Sequence, residues 1–301
     1  MVPTMADPTD RSDSQFDVTK ADPASRREAG VVDNPWRALR DFTDARIGLG
    51  RAGVSLPTDE MLAFQLAHAQ ARDAVHLPLD VDSLCDDLND VVDSAGGDGT
   101  TEPLRLHSQA SDRITYLQRP DLGRRLDDAS HKALGDGADA AQKTCDLAIV
   151  VVDGLSSRAV QAHAAPFVKA LASALAQDAE DWALARLCVV EQGRVAIGDE
   201  IGALLNARAV LVLIGERPGL SSPDSLGLYL TWNPKPGTTD ALRNCISNVR
   251  PAGLQLDEAS RRALYLLREA RRLELSGVKL KDRSDSNVIE HDSEPGNFLI
   301  S

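Results

Sequence analysis

Three short apolar runs in this chain end in loops suited to holding a ligand. The runs at 146–152, 187–191 and 210–214 lead into Asp153-Gly154, Gln192-Gly193-Arg194 and Gly215-Glu216-Arg217-Pro218-Gly219. Glycine permits close backbone approach and leaves N–H and C=O groups free for amide or phosphate partners. Glu216 can accept hydrogen bonds and Arg217 can donate them. If the runs are parallel strands, the loops gather outside their carboxyl ends, where ligands of open α/β sheets bind. The plainer alternative is a tight turn closed by a Glu216–Arg217 ion pair.

No catalytic set accompanies these loops. Cys245, in RNCISN, would need a base to act as a nucleophile, and no histidine lies between His163 and His291. Ser156, Ser221 and Ser222 lie outside any G-x-S-x-G elbow. A serine or cysteine hydrolase is therefore disfavoured. Cys85, Cys145, Cys188 and Cys245 form no C-x-x-C pair, and no His/Cys cluster has a metal-ligand spacing.

Two further patterns carry weaker signals. Gly48-Leu49-Gly50-Arg51-Ala52-Gly53 matches dinucleotide G-x-G-x-x-G spacing. That fingerprint requires a preceding strand and an immediate helix; here a helical segment precedes it and Pro57 delays the next helix. An inter-helix turn is the better reading. Gln65, His68, Arg72 and His76 share one face of a helix over 58–76. That face suits docking of a partner, or simply solvent.

The elements that position these residues follow from pattern. Asn34-Pro35-Trp36 opens a helical turn, and Thr58 with Asp59 and Glu60 opens a longer helix that Pro78 ends. A short acidic helix over 80–93, a loop at 94–103 and turn chemistry near Arg119-Pro120-Asp121 complete a mainly helical portion at 33–140. From Cys145 the pattern changes to strands alternating with helices. Strands are expected at 146–154, 187–192, 210–219 (with its exit loop) and 226–232. Helices are expected after Ser156-Ser157, with Val160, Ala164, Phe167 and Leu171 on one stripe and a kink at Pro166, and at 197–207 and 257–275. Leu264, Leu267 and Leu273 should anchor the last of these. This predicts an α/β fold, a Rossmann-like parallel sheet flanked by helices, over 141–281.

Residues 1–32 and 282–301 are polar and read as an extension and a tail without a core. The 301 residues suffice for a substantial core, and aromatics are only 4%. A formal charge of −13 disfavours nonspecific binding to nucleic acid or anionic membrane. No apolar run approaches the roughly 20 residues of a membrane span, and no secretory signal is evident, which reads as a cytoplasmic protein with reduced thiols. Residue chemistry alone thus gives a ligand-binding α/β protein. It leaves open a free-standing module for a nucleotide or phosphorylated metabolite.

A series of blocks narrows this. NPWRALRDFTDARIGLGRAGVSLPT, AHAQARDAVH, YLQRPDLGRRL, DGLSSRAV, RVAIGDEIG, LIGERPGLSSPDSLG, RNCISNVR and LSGVKLKD together resemble the small subunit of ethanolamine ammonia-lyase. They cover most of 34–282 in the family's order. The resemblance implies a non-autonomous subunit that pairs with a larger barrel-type subunit, commonly six of each, with adenosylcobalamin at their interface. Radical chemistry there turns ethanolamine into acetaldehyde and ammonia, and the substrate's acid/base residues belong to the large subunit. The resemblance places cobalamin contacts at Val195, Glu216 and Cys245, with no catalytic or metal-ligating residue on this chain. The absence of a D-x-H-x-x-G motif agrees with a cofactor that keeps its own lower base. Relatives inside bacterial microcompartments carry N-terminal targeting segments; residues 1–32 have only weak amphipathic character, so a plain tail is the favoured reading.

Overall fold

The computed structural model describes residues 34–43, 45–94, 102–136 and 144–284. The readings of 1–32 and of the tail beyond 284 fall outside these residues. The chain divides into two compact units after Gln65.

In the first unit a 3₁₀ helix spans Pro35–Phe42, capped by the Asn34 side chain, which accepts from the Trp36 N–H. Arg37 and Arg40 both bond Glu60, the latter through two contacts of 2.7 Å. Gly48 takes a left-handed conformation (φ +60°), where any side chain would strike the Trp36 carbonyl. The glycine run is thus a turn with no strand before it.

Helix α1, Thr58–His76, crosses the division, and α2 spans Val81–Ser94. Strand β1, Leu104–His107, follows; the sequence reading had absorbed it into the helical portion. Then come α3 (Arg113–Gln118), α4 (Asp128–Asp136) and β2 (Cys145–Val152). Every β2 residue except Asp146 is buried, as a continuous β-branched run in a central strand requires. Helix α5 (Ser157–Ala176) starts at a Ser156 cap and contains Pro166. Its predicted stripe of Val160, Ala164, Phe167 and Leu171 is fully buried. Strand β3 (Cys188–Glu191), α6 (Ile197–Leu204), β4 (Ala207–Gly215), β5 (Leu226–Trp232), β6 (Arg243–Val249) and α7 (Leu256–Leu273) complete the order.

The strands form one sheet ordered β1-β3-β2-β4-β5-β6. The first four are mutually parallel, but β5 runs antiparallel to both β4 and β6. The expected wholly parallel sheet is therefore corrected to a mixed one. The cause is local: β4 connects to β5 through a loop with no intervening helix, and a connection without a crossover returns antiparallel. Strand β6, for which the polar sequence RNCISNV gave no expectation, closes the edge.

Helices α2, α5 and α7 pack on one face through Leu84, Leu88, Phe167, Leu171, Ala263 and Leu267. On the other face α6 and the α4 region bring Leu126, Leu134, Ile197 and Ile201 against β2, β3 and β4. Gly198 lets α6 sit close, since a Cβ there would lie 2.2 Å from a Val212 methyl. In α7, Leu267 is buried and Leu264 packs at the core margin, whereas Leu273 is exposed, contrary to expectation.

Candidate functional site

Strand alternation decides what the β5–β6 end of the sheet offers. Leu226, Leu228, Leu230 and Ile246 point into the core beneath α7. Period 2 therefore sends Gly227, Tyr229, Thr231, Arg243, Cys245 and Ser247 to the opposite face. Beyond α6 that face opens into a groove. A cavity of about 980 Å³ lies among the 120–125 loop, the start of α6 and the 236–240 loop. A second, of about 390 Å³, is lined by Tyr116, Leu155, Arg194, Val195, Glu216, Arg217 and Tyr229. The two share Arg194, Val195 and Tyr229 and so form one trough.

Of the three residues named by resemblance, Val195 and Glu216 line this trough, and Cys245 lies beside it as the cross-strand partner of Tyr229. Val195 lines both cavities, just before α6. Glu216 lines the smaller one; its carboxylate accepts from the Ser225 hydroxyl and, at 3.1 Å, from the Asn248 N–H. It makes no ion pair with Arg217, which is exposed along the same wall. Cys245 is exposed and sits directly across the β5–β6 pair from Tyr229. Desolvation raises its thiol above the ordinary range, the Tyr229 hydroxyl opposes this, and Glu216 adds to the rise. A protonated thiol without a base is no nucleophile.

The other predicted loop residues have a different role. Asp153 is buried and accepts from the backbone N–H of Gln192 (2.9 Å) and Gly193 (3.1 Å), joining the exits of β2 and β3. Gly154 is left-handed, and the Leu155 N–H donates to the Gly215 carbonyl at 2.8 Å. A side chain at Gly215 would collide with the Ser156 carbonyl. The β2 exit is thus a lock between strands, and it leaves the trough walls to Arg194, Val195, Glu216 and Arg217.

Residues that sequence reasoning missed fill the crevice between β2 and β3. Arg113 on α3 donates to the carbonyls of Val75 (2.6 Å) and Gly154 (2.8 Å), with Gln192 and Asp153 slightly farther away. Its guanidinium lies over the Tyr116 ring at 4.7 Å, and Arg194 lies over the same ring at 4.1 Å. Arg194 also bonds the Tyr116 carbonyl, and its backbone N–H reaches the Gly123 carbonyl at 2.6 Å. The one available signal was the Asp112 cap opening RITYLQ. Spacing shows an arginine and an aromatic one helical turn apart, but not the crevice they enter.

Gln65, His68, Arg72 and His76 are all exposed on α1. Among the described residues, no group of three or more His, Cys, Asp or Glu is arranged to hold a metal, and no helix is long and apolar enough to cross a membrane.

Known proteins resolve what this geometry leaves open. The family profile described as ethanolamine ammonia-lyase light chain matches residues 33–281. Similar proteins named ethanolamine ammonia-lyase small subunit include one from Pseudomonas fluorescens (strain SBW25), 56% identical over 274 residues, covering 90% of this chain and 95% of that protein. One from Pseudomonas paraeruginosa is 57% identical over 271 residues, covering 90% and 96%. One from Ralstonia nicotianae is 56% identical over 272 residues, with the same coverage. A match over residues 33–281, which takes in the β3 exit, the β4 exit and β6, makes this chain a member of the ethanolamine ammonia-lyase light-chain family.

Proposed function

We propose that this chain is the small subunit of an adenosylcobalamin-dependent ethanolamine ammonia-lyase, and that the trough over β5 and β6 forms half of the cofactor's cradle. The observation that carries the reading is the placement of Val195, Glu216 and Cys245 around one open sheet face centred on Tyr229. A corrin is broad, rimmed with amides and apolar across its face. The trough suits it, since its walls mix donors and acceptors with apolar surface and its opening is wide. Val195 and Tyr229 would supply apolar contact, while Arg194, Arg217 and backbone groups at the β4 exit would meet amides. Bound adenosylcobalamin would supply the cobalt–carbon bond whose homolysis starts the radical conversion of ethanolamine to acetaldehyde and ammonia. This chain's part is to hold, orient and shield that group.

A second polypeptide, the large subunit, completes the site in this reading. The trough is open to solvent, and large apolar side chains stand exposed along the N-terminal elements: Trp36, Phe42, Leu62, Phe64 and Leu66 among them. Exposed apolar surface of this kind marks a face that is covered in an assembly. Six copies of each subunit and residence in the cytoplasm, with or without a microcompartment, belong to the same proposal. The alternative of a free-standing nucleotide-binding module is weaker, because Arg113 and Tyr116 occupy the crevice at the β2–β3 exits where such a ligand would sit.

The test is co-purification with a large subunit of this family, then addition of adenosylcobalamin. The mixture should show cobalamin absorbance retained with protein and should release acetaldehyde from ethanolamine, while this chain alone should do neither. Acetaldehyde from the isolated chain, or a complex that holds no cobalamin, would sink the assignment.

A further inference from the structure

The larger part of the trough carries an arginine pattern whose charge the amide contacts proposed above do not require. Arg124, Arg125 and Arg194 line it, and among the described residues none of the three has a carboxylate within ion-pair distance. In a chain with 46 acidic and 33 basic side chains, three guanidiniums without a carboxylate partner on one cavity are unusual. The carboxylates that share the cavity are already engaged. Asp121 is held by Arg119 at 2.7 and 3.0 Å, Asp240 accepts from Arg243 at 3.3 Å, and Glu200 accepts from the Leu126 N–H at 3.1 Å with His131 at 3.9 Å.

The fold fixes the backbone that carries Arg124 and Arg125, and it fixes the Arg194 side chain itself. Arg124 and Arg125 close a 3₁₀ turn over Leu122–Arg124, which the Arg194 N–H anchors through the Gly123 carbonyl. A Cβ at Gly123 would lie 3.0 Å from the Arg194 side chain, so these two loops touch with no room to spare. Arg194 is pinned on the Tyr116 ring, and its Nε is buried without a partner. Guanidinium groups clustered without counter-ions match the geometry and charge of a phosphate.

We infer that Arg124, Arg125 and Arg194 form a recognition site for a phosphate-bearing group on the ligand that fills the trough. This rests on the cofactor reading, in which the phosphodiester of the cobalamin nucleotide tail is the group in question. Free phosphate or a nucleotide offers the same chemistry, and the experiment separates these sources.

The experiment compares equilibrium binding, followed by absorbance, of adenosylcobinamide phosphate and adenosylcobinamide to the assembled enzyme. The two probes share a corrin and differ by the phosphate. Replacing both exposed arginines (R124Q/R125Q) should weaken the phosphate-bearing probe roughly tenfold or more and leave the phosphate-free probe within about twofold. The loss should shrink as salt rises. Equal losses for both probes would overturn the proposal. If the wild-type complex binds neither probe, adenosylcobalamin itself decides the cofactor reading, which fails if that is not retained either, and pyrophosphate titrated against the full chain decides the arginine site. A rise in melting temperature that R124Q/R125Q abolishes supports an anion site; no rise in the wild type overturns it.

Discussion

Arg243 and Asp199 meet through two parallel hydrogen bonds of 2.5 and 2.7 Å, with both side chains almost wholly removed from water. Thr231 and the Thr238 carbonyl take further guanidinium hydrogens at 3.1 and 2.7 Å. The pair ties α6, which follows Val195, to β6, which carries Cys245, and secures the 236–240 loop on the trough wall. One ion pair thus sets the distance between two of the proposed contact residues.

Breaking that pair from one side leaves a buried charge alone. R243M is expected to cost about 3–5 kcal/mol, and the double variant R243M/D199L distinctly less, because both charges are then gone. Urea denaturation of the three proteins measures this. A double variant no better than R243M would show that the pair is not energetically coupled.

Asp153 gives stability a pH dependence. Burial raises its folded-state pKa to about 6, against the resisting influence of Arg113 and the Gln192 and Gly193 N–H groups. Its ordinary value is 3.8, so between these values the folded chain keeps a proton that the unfolded chain has lost. The contribution is full below about pH 4 and falls away as pH rises through 6. Relative to D153N, the wild type should lose on the order of 2–3 kcal/mol between pH 4 and pH 7. A flat difference across that range would contradict the raised value.

Tyr116 presents its ring to two arginines, yet its hydroxyl is buried with no hydrogen-bond partner. Y116F should therefore match or exceed wild-type stability, since an unsatisfied buried hydroxyl is a cost. Y116L removes both cation–ring contacts and should cost about 1–3 kcal/mol. Thermal melts of the two variants separate ring from hydroxyl; a Y116F loss as large as that of Y116L would refute the distinction.

Gly198 tests how closely α6 must sit. A methyl there would stand 2.2 Å from a Val212 methyl, so G198A should cost about 1–3 kcal/mol through overpacking. Adding V212A should recover part of that loss. If G198A melts like the wild type, α6 has room to shift and the seat of Val195 is softer than the packing suggests.

The local elements were largely legible in the sequence. Helix α1 has the bounds its capping residues and Pro78 predict, and the buried runs of β2 and β4 announce themselves by unbroken β-branched and leucine residues. Family membership was legible for the same reason, because it resides in residue strings. Strand direction was not. Whether LGLYLTW lies parallel or antiparallel to its neighbour depends on the path of the 216–225 loop, and periodicity is blind to that path. Strand β6 was invisible because a half-exposed edge strand alternates polar residues with few apolar ones. Tertiary structure alone decided that Asp153 locks two strands together, that Arg113 closes the β2–β3 crevice, and that three arginines from two distant segments border one trough. Residue type fixes what a side chain can bond, but which partner it meets depends on long-range packing, and that packing brings Arg113 and Arg194, 81 positions apart, to one Tyr116 ring.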